Sequence, residues 1–135
     1  MIKSLTKEWK HGRDIGLLIF RAIFGFSMFY GHGLPKLQTL MKGGEIQFAD
    51  PIGLGVTFSF YLVIFAEVVG SIMLILGIYT RLALIPLIIA MLVAVFAFHS
   101  GQAFGKYEMS FLYLSAFIAL FFTGAGKYAI DPRLK

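Results

Sequence analysis

The chain contains no cysteine. That excludes disulfides, thiolate metal sites and any thiol chemistry of its own. Charge is nearly as scarce: 14% of the 135 residues are Asp, Glu, Lys or Arg, against about a quarter in an ordinary water-soluble domain. No glycine fingerprint for a dinucleotide and no flavin motif is present, so electrons for any redox step would have to come from elsewhere. There is no internal repeat and no low-complexity stretch. No cleavable signal peptide is expected, because the first apolar run starts near Ile15, keeps Arg21 inside it and lacks a small-residue cleavage site.

What fills the chain instead is apolar. Hydrophobic residues make up 59%, including fifteen phenylalanines, and the mean hydropathy is +0.83. Four apolar stretches, Ile15–Tyr30, Val56–Ile78, Leu82–Phe98 and Met109–Thr123, approach the roughly 17–25 residues that a spanning helix needs. With flanking residues they give spans of about 15–32, 56–78, 82–99 and 109–124. The composition and pattern therefore predict an all-α fold, a four-helix antiparallel transmembrane bundle forming one domain over residues 1–135. Gly77, Thr80 and Arg81 split what would be one long run and force a tight hairpin between the second and third spans. Pro86 is expected in the first turn of the third span, where its missing N–H matters little. The connection from Gly33 to Gly55 begins with an amphipathic piece, Pro35 to Met41, expected to lie along the membrane interface between helices 1 and 2. Gly16, Gly25, Gly70 and Gly77 allow close helix packing and a homo-oligomer.

The formal charge of +5 reads as membrane orientation, not as nucleic-acid binding. In a four-span topology both termini and the Arg81 turn share a side. That side holds Lys3, Lys7, Lys10, Arg13, Arg81, Lys127, Arg133 and Lys135, and the opposite side only Lys36, Lys42 and Lys106. The asymmetry predicts both termini in the cytoplasm.

Ionisable residues inside the bilayer are costly, so they should face the bundle interior or one another. Arg21, His32, Glu67, His99 and Glu108 qualify or nearly do. Counting the helical rise from the outer ends puts Glu67 roughly 15 Å deep and Arg21 roughly 17 Å deep, which predicts a buried Arg21–Glu67 ion pair. His32, His99 and Glu108 are expected near the outer interface, converging on a polar cavity at the membrane's outer side. Each has a plain structural role open to it as well. A histidine at a helix end can be an interfacial hydrogen-bonding group, Glu108 can favour a helix dipole, and the ion pair can fix register. Tyr30, Tyr61, Tyr107 and Tyr113 read mostly as interface aromatics.

Three segments, "RAIFGFSMFYGHGLPKL", "FAEVVGSIMLILGIYTRLAL" and "FHSGQAFGKYEMSFLYLSAFIALFFTGAGKYAID", together resemble the DoxX family of small four-helix membrane proteins. The telling pieces are the arginine and HGxxK-type end of span one, the glutamate-x-x-glycine of span two, the Gly-x-x-Thr-Arg turn and the TGxGKYxxD-like exit from span four. The resemblance covers about Ile15 to Asp131 and implies a bacterial-type inner-membrane protein, sometimes linked to redox systems. The family takes its name from a subunit of a thiosulfate:quinone oxidoreductase. Its recurrent polar positions fall here on Arg21, His32, Lys36, Glu67, Arg81, His99 and Glu108, so the ligand-binding candidates are His32, Lys36, Glu67, His99 and Glu108.

Three kinds of function are compatible with these residues. The first is a quinone-interacting or redox-complex-associated membrane subunit, with histidine donors, carboxylate proton carriers and a redox partner protein as electron source. The second is binding or transport of a small ligand or metal, with His32, His99 and Glu108 as metal candidates. The third is a non-catalytic scaffold or assembly factor. A bis-histidine haem between His32 and His99 is disfavoured, since both lie at the rim among bulky or charged neighbours.

Overall fold

The structure, a computed structural model, describes residues 1–98 and 101–133. Among the described residues it is helical, with no strand. Its long elements are α1 (Gly12–Lys42), α2 (Val56–Leu76), α3 (Thr80–Ala97) and α4 (Phe104–Thr123). The first three are long and apolar enough to cross a membrane. α4 has the length but opens with Lys106, Tyr107 and Glu108 and falls short of their apolarity.

Neighbours in sequence are neighbours in space: α1 packs on α2, α2 on α3 and α3 on α4, and α4 touches α1 more lightly. The core draws Met28 from α1, Leu74 from α2, Leu84, Leu87 and Met91 from α3, and Tyr113, Phe117 and Leu120 from α4. Lipid-like solvent offers no hydrophobic drive for helices to associate, so small residues that let backbones approach matter most. Gly25 is one: a Cβ there would come within 2.6 Å of Ile75 Cγ1. Gly16, by contrast, faces open space and contributes no packing within the chain.

The first span is longer than the sequence suggests. Gly31, Gly33 and Pro35 do not end it. The chain widens into a π-helical segment, Phe29–Gly33, and returns to α-helix at Leu34 with φ −62° and ψ −45°. The wider turn moves the preceding carbonyls off the proline ring, so the helix passes Pro35 unbroken. Residues 34–42, expected along the interface, are the last turns of α1. α2 and α3 carry similar segments at Phe65–Gly70 and Ala94–Phe98. Pro86 also departs from expectation. It lies inside α3 rather than in its first turn, so the Leu82 carbonyl has no N–H to accept from one turn on.

The end of the bundle that carries both termini is clamped by backbone contacts. α2 stops at Gly77 in the left-handed conformation (φ 68°). The Ile78 N–H returns to the Met73 carbonyl at 2.9 Å, closing a Schellman cap. Any Cβ at Gly77 would also strike Ala129 at 2.4 Å. The tail after α4 folds across this turn, with the Asp131 N–H donating to Gly77 O at 2.8 Å and Asp131 Oδ2 accepting from the Thr80 N–H at 2.9 Å. Asp14 Oδ1 accepts from the Lys127 N–H at 3.0 Å and ties the same tail to the start of α1. Arg81 reaches across to the end of α4, where its Nε donates to Phe121 O at 2.9 Å.

Arg21 sits at the centre of this clamp, 1% exposed. Its guanidinium donates to the carbonyls of Leu74 (3.2 Å) and Ile75 in the last turn of α2, and to Tyr128 in the tail. The expected Arg21–Glu67 pair is therefore not formed. The depth count fails because α1 ends at Lys42, not near His32, so Arg21 lies level with the far end of α2 while Glu67 lies level with Gly33.

Candidate functional site

Glu67 finds its cation elsewhere. Lys36 Nζ donates to Glu67 Oε2 at 2.7 Å, the length of a charge-assisted hydrogen bond. Lys36 also donates to the His32 carbonyl at 3.3 Å, one turn earlier on α1. The lysine side chain is 25% exposed and the glutamate 4%, so the pair runs from the protein surface inward with the carboxylate at the buried end.

Two π-helical segments build this site. Phe29–Gly33 of α1 and Phe65–Gly70 of α2 face each other, and Gly33 lies so close that a Cβ on it would sit 2.8 Å from the Glu67 carbonyl oxygen. A glycine here is a steric requirement. It brings the two backbones together, and Lys36, one turn on, is thereby placed to reach the Glu67 carboxylate. Such one-turn widenings of a helix are frequent at functional sites.

His32 is half-buried and stands edge-on to the ring of Tyr113 in α4, with centroids 5.4 Å apart. Tyr113 is buried, and its ring also packs on Phe24 and Phe117 at centroid distances of 5.8 Å each. The cluster thus unites α1, α2 and α4 and holds a carboxylate, an ammonium, an imidazole and a phenol. On its lipid side Tyr113 lines an open groove of about 470 Å³ between α1 and α4. Phe20 and Phe24 form one wall, and Met109, Leu112, Ser115 and Ala116 the other.

Of the residues singled out in the sequence, His32, Lys36 and Glu67 come together here. Glu108 does not join them: it is exposed and lies five residues before Tyr113, about 140° around α4. His99 lies outside the described residues, and with it the expected convergence of two histidines. Among the described residues no group of three or more His, Asp or Glu could hold a metal ion. Tyr113 is a member that the sequence does not assign to the site. Tyr113 reads from sequence as an interface aromatic, and only its position in the middle of α4 separates it from Tyr107 at the start.

Fold and cluster together define a multi-pass helical membrane protein with a polar site walled by apolar helices. More particularly, the chain belongs to the DoxX family, whose model matches residues 16–100. Two proteins of Haemophilus influenzae are similar to it. One is 35% identical over 128 residues, covering 86% of this chain and 89% of its own. The other is 27% identical over 131 residues, covering 92% and 86%. Both are described only as uncharacterised proteins. No solved structure matches the chain.

Proposed function

We propose that this protein binds the head group of a quinone-type, lipid-soluble ligand as the membrane subunit of a redox complex, with a partner protein supplying electrons. The observation that carries this reading is the double role of Tyr113, which lines a lipid-facing groove on one side and meets His32 on the other. A ring carbonyl entering the groove would find the phenol as its first hydrogen-bond donor. His32 packs edge-on against the same ring, and the Lys36–Glu67 pair, which meets His32 through its backbone carbonyl, can hold a proton nearby. The test is photolabelling of protein in proteoliposomes with an azido-quinone analogue, followed by peptide mapping. Label is expected on residues 109–116 or 20–24. Loss of the two donors in the Tyr113→Phe/His32→Ala variant is expected to weaken competition by unlabelled quinone at least about tenfold, one net hydrogen bond being about 1 kcal/mol or somewhat more. Label spread over all four helices, unchanged by the variant, would leave the scaffold or assembly-factor reading. That reading is favoured by the Lys36–Glu67 pair's being complete without a ligand.

The same proposal places the chain in a bacterial-type cell membrane with four spans, α4 included, and with both termini in the cytoplasm. The excess of lysine and arginine at the clamped end supports that orientation. Because the chain has no cysteine, single cysteines at Lys42 and Lys3 can be read without background. They are expected to label from opposite faces of the membrane with an impermeant thiol reagent. Labelling from one face only would sink both the span count and the orientation.

A further inference from the structure

The residues before α1 take no part in the bundle, yet they are not simply polar. Ile2, Leu5 and Trp9 are more than three-quarters exposed and recur at i, i+3 and i+7, the spacing of one helical face. Lys3, Lys7 and Lys10 alternate with them along the chain, Arg13 follows, and all four are exposed. Glu8 is the only acid among these thirteen residues. Ile2–Leu5 is helical and residues 6–9 are not, so the shared face forms once the helix extends at a surface. The Gly12 N–H closes a turn on the Trp9 carbonyl at 3.0 Å, which keeps the indole next to the start of a membrane-spanning helix.

We infer that residues 1–13 form an anionic-lipid-binding segment that lies flat on the membrane at the clamped end. Ile2, Leu5 and Trp9 enter the headgroup boundary and the lysines engage lipid phosphates. The charge pattern favours an anionic surface: three lysines and an arginine flank three apolar side chains, and a single carboxylate opposes them. Continuity with α1 holds the segment at that surface, so binding needs no affinity from free solution. Tryptophan is at home in this zone, with an apolar body and a polar N–H. The inference rests on the membrane character of the chain and is independent of any quinone.

Trp9 is the sole tryptophan and so reports on the segment directly. The full chain would be placed in nanodiscs of phosphatidylcholine alone, or of phosphatidylcholine with phosphatidylglycerol. Trp9 emission and its quenching by acrylamide would then be recorded. With phosphatidylglycerol the emission is expected to shift to the blue and quenching to fall, and about 1 M salt should reverse both by shortening the screening length to about 3 Å. Each lysine near such a surface is worth about fivefold in partitioning, so the Lys3→Gln/Lys7→Gln/Lys10→Gln variant should lose about a hundredfold in seated over unseated segment. These exposed positions make no bundle contacts, so the variant keeps its fold, which circular dichroism checks. Equal protection of Trp9 in both lipids, or equal exposure in both, overturns the proposal.

Discussion

Arg21→Leu is expected to lower the unfolding free energy by about 3–5 kcal/mol, among the largest losses open to a single substitution in this chain. The guanidinium serves three carbonyls at once, those of Leu74, Ile75 and Tyr128. The first two belong to the last turn of α2, where carbonyls run short of intrahelical donors; Leu74 O also accepts from the Gly77 N–H at 3.2 Å. Leucine fills part of the volume and donates nothing, so the half-buried Ile75 and Tyr128 carbonyls lose a charged donor and the tie between α2 and the tail is cut. Arg21→Lys should recover only part of the loss, because an ammonium is a single point and cannot fan out to three acceptors. Denaturation in mixed detergent micelles would measure the change. A second readout separates this clamp from general packing: with Tyr128 released, limited proteolysis should cut residues 124–133 faster in Arg21→Leu than in a core variant of matched stability. If Arg21→Leu melts like the parent and keeps its tail protected, the clamp does not hold that end.

The second large effect is an asymmetry within the Lys36–Glu67 pair. Lys36→Met is expected to cost about 3–5 kcal/mol, since it leaves a carboxylate that is 4% exposed with no cation. Glu67→Gln should cost only about 1–2 kcal/mol, because the partly exposed lysine can swing its head group outward to water. Replacing both by apolar residues of similar volume should restore most of the stability, as buried pairs often exchange for well-packed hydrophobes at little cost. Equal losses for the two single variants would mean that the lysine is as trapped as the glutamate, and the exposure gradient would then have no energetic meaning.

Much of the fold could be read from the sequence, and the reason is physical. Long apolar runs interrupted by Arg81 and by the 43–55 connection leave few arrangements for a chain that must satisfy its backbone inside lipid. The hairpin at Gly77 is legible from a glycine and a charge in the right order. The end of α1 is not, because glycine and proline usually break helices and nothing local announces a π-helical turn that carries the helix past them. That one misplaced boundary moves Arg21 to the wrong depth and hides the pairing of Lys36, which lies one turn beyond His32 on a continuous helix. The clamp at the end that carries the termini is illegible for a different reason. Asp14, Arg81 and Asp131 bind backbone groups far away in sequence, and residue spacing does not encode such partners. Tyr113 becomes visible only once α1 and α4 are side by side.

A π-helical turn holds one residue more than an α-helical turn, so it takes up that residue without rotating the remainder of the helix. Among the described residues, three of the four long helices contain such a turn, and none lies at the clamped end. The bundle therefore carries slack in chain length at known places. Loss of Gly31, whose Cβ position is open space, would let α1 rewind into regular helix. Lys36 would then stay on the face that meets Glu67, drawn toward the clamp by no more than about one residue's rise, 1.5 Å. The length of the helix above Arg21 is thus free to drift by a residue, while the contacts around Arg21 hold the clamped end fixed.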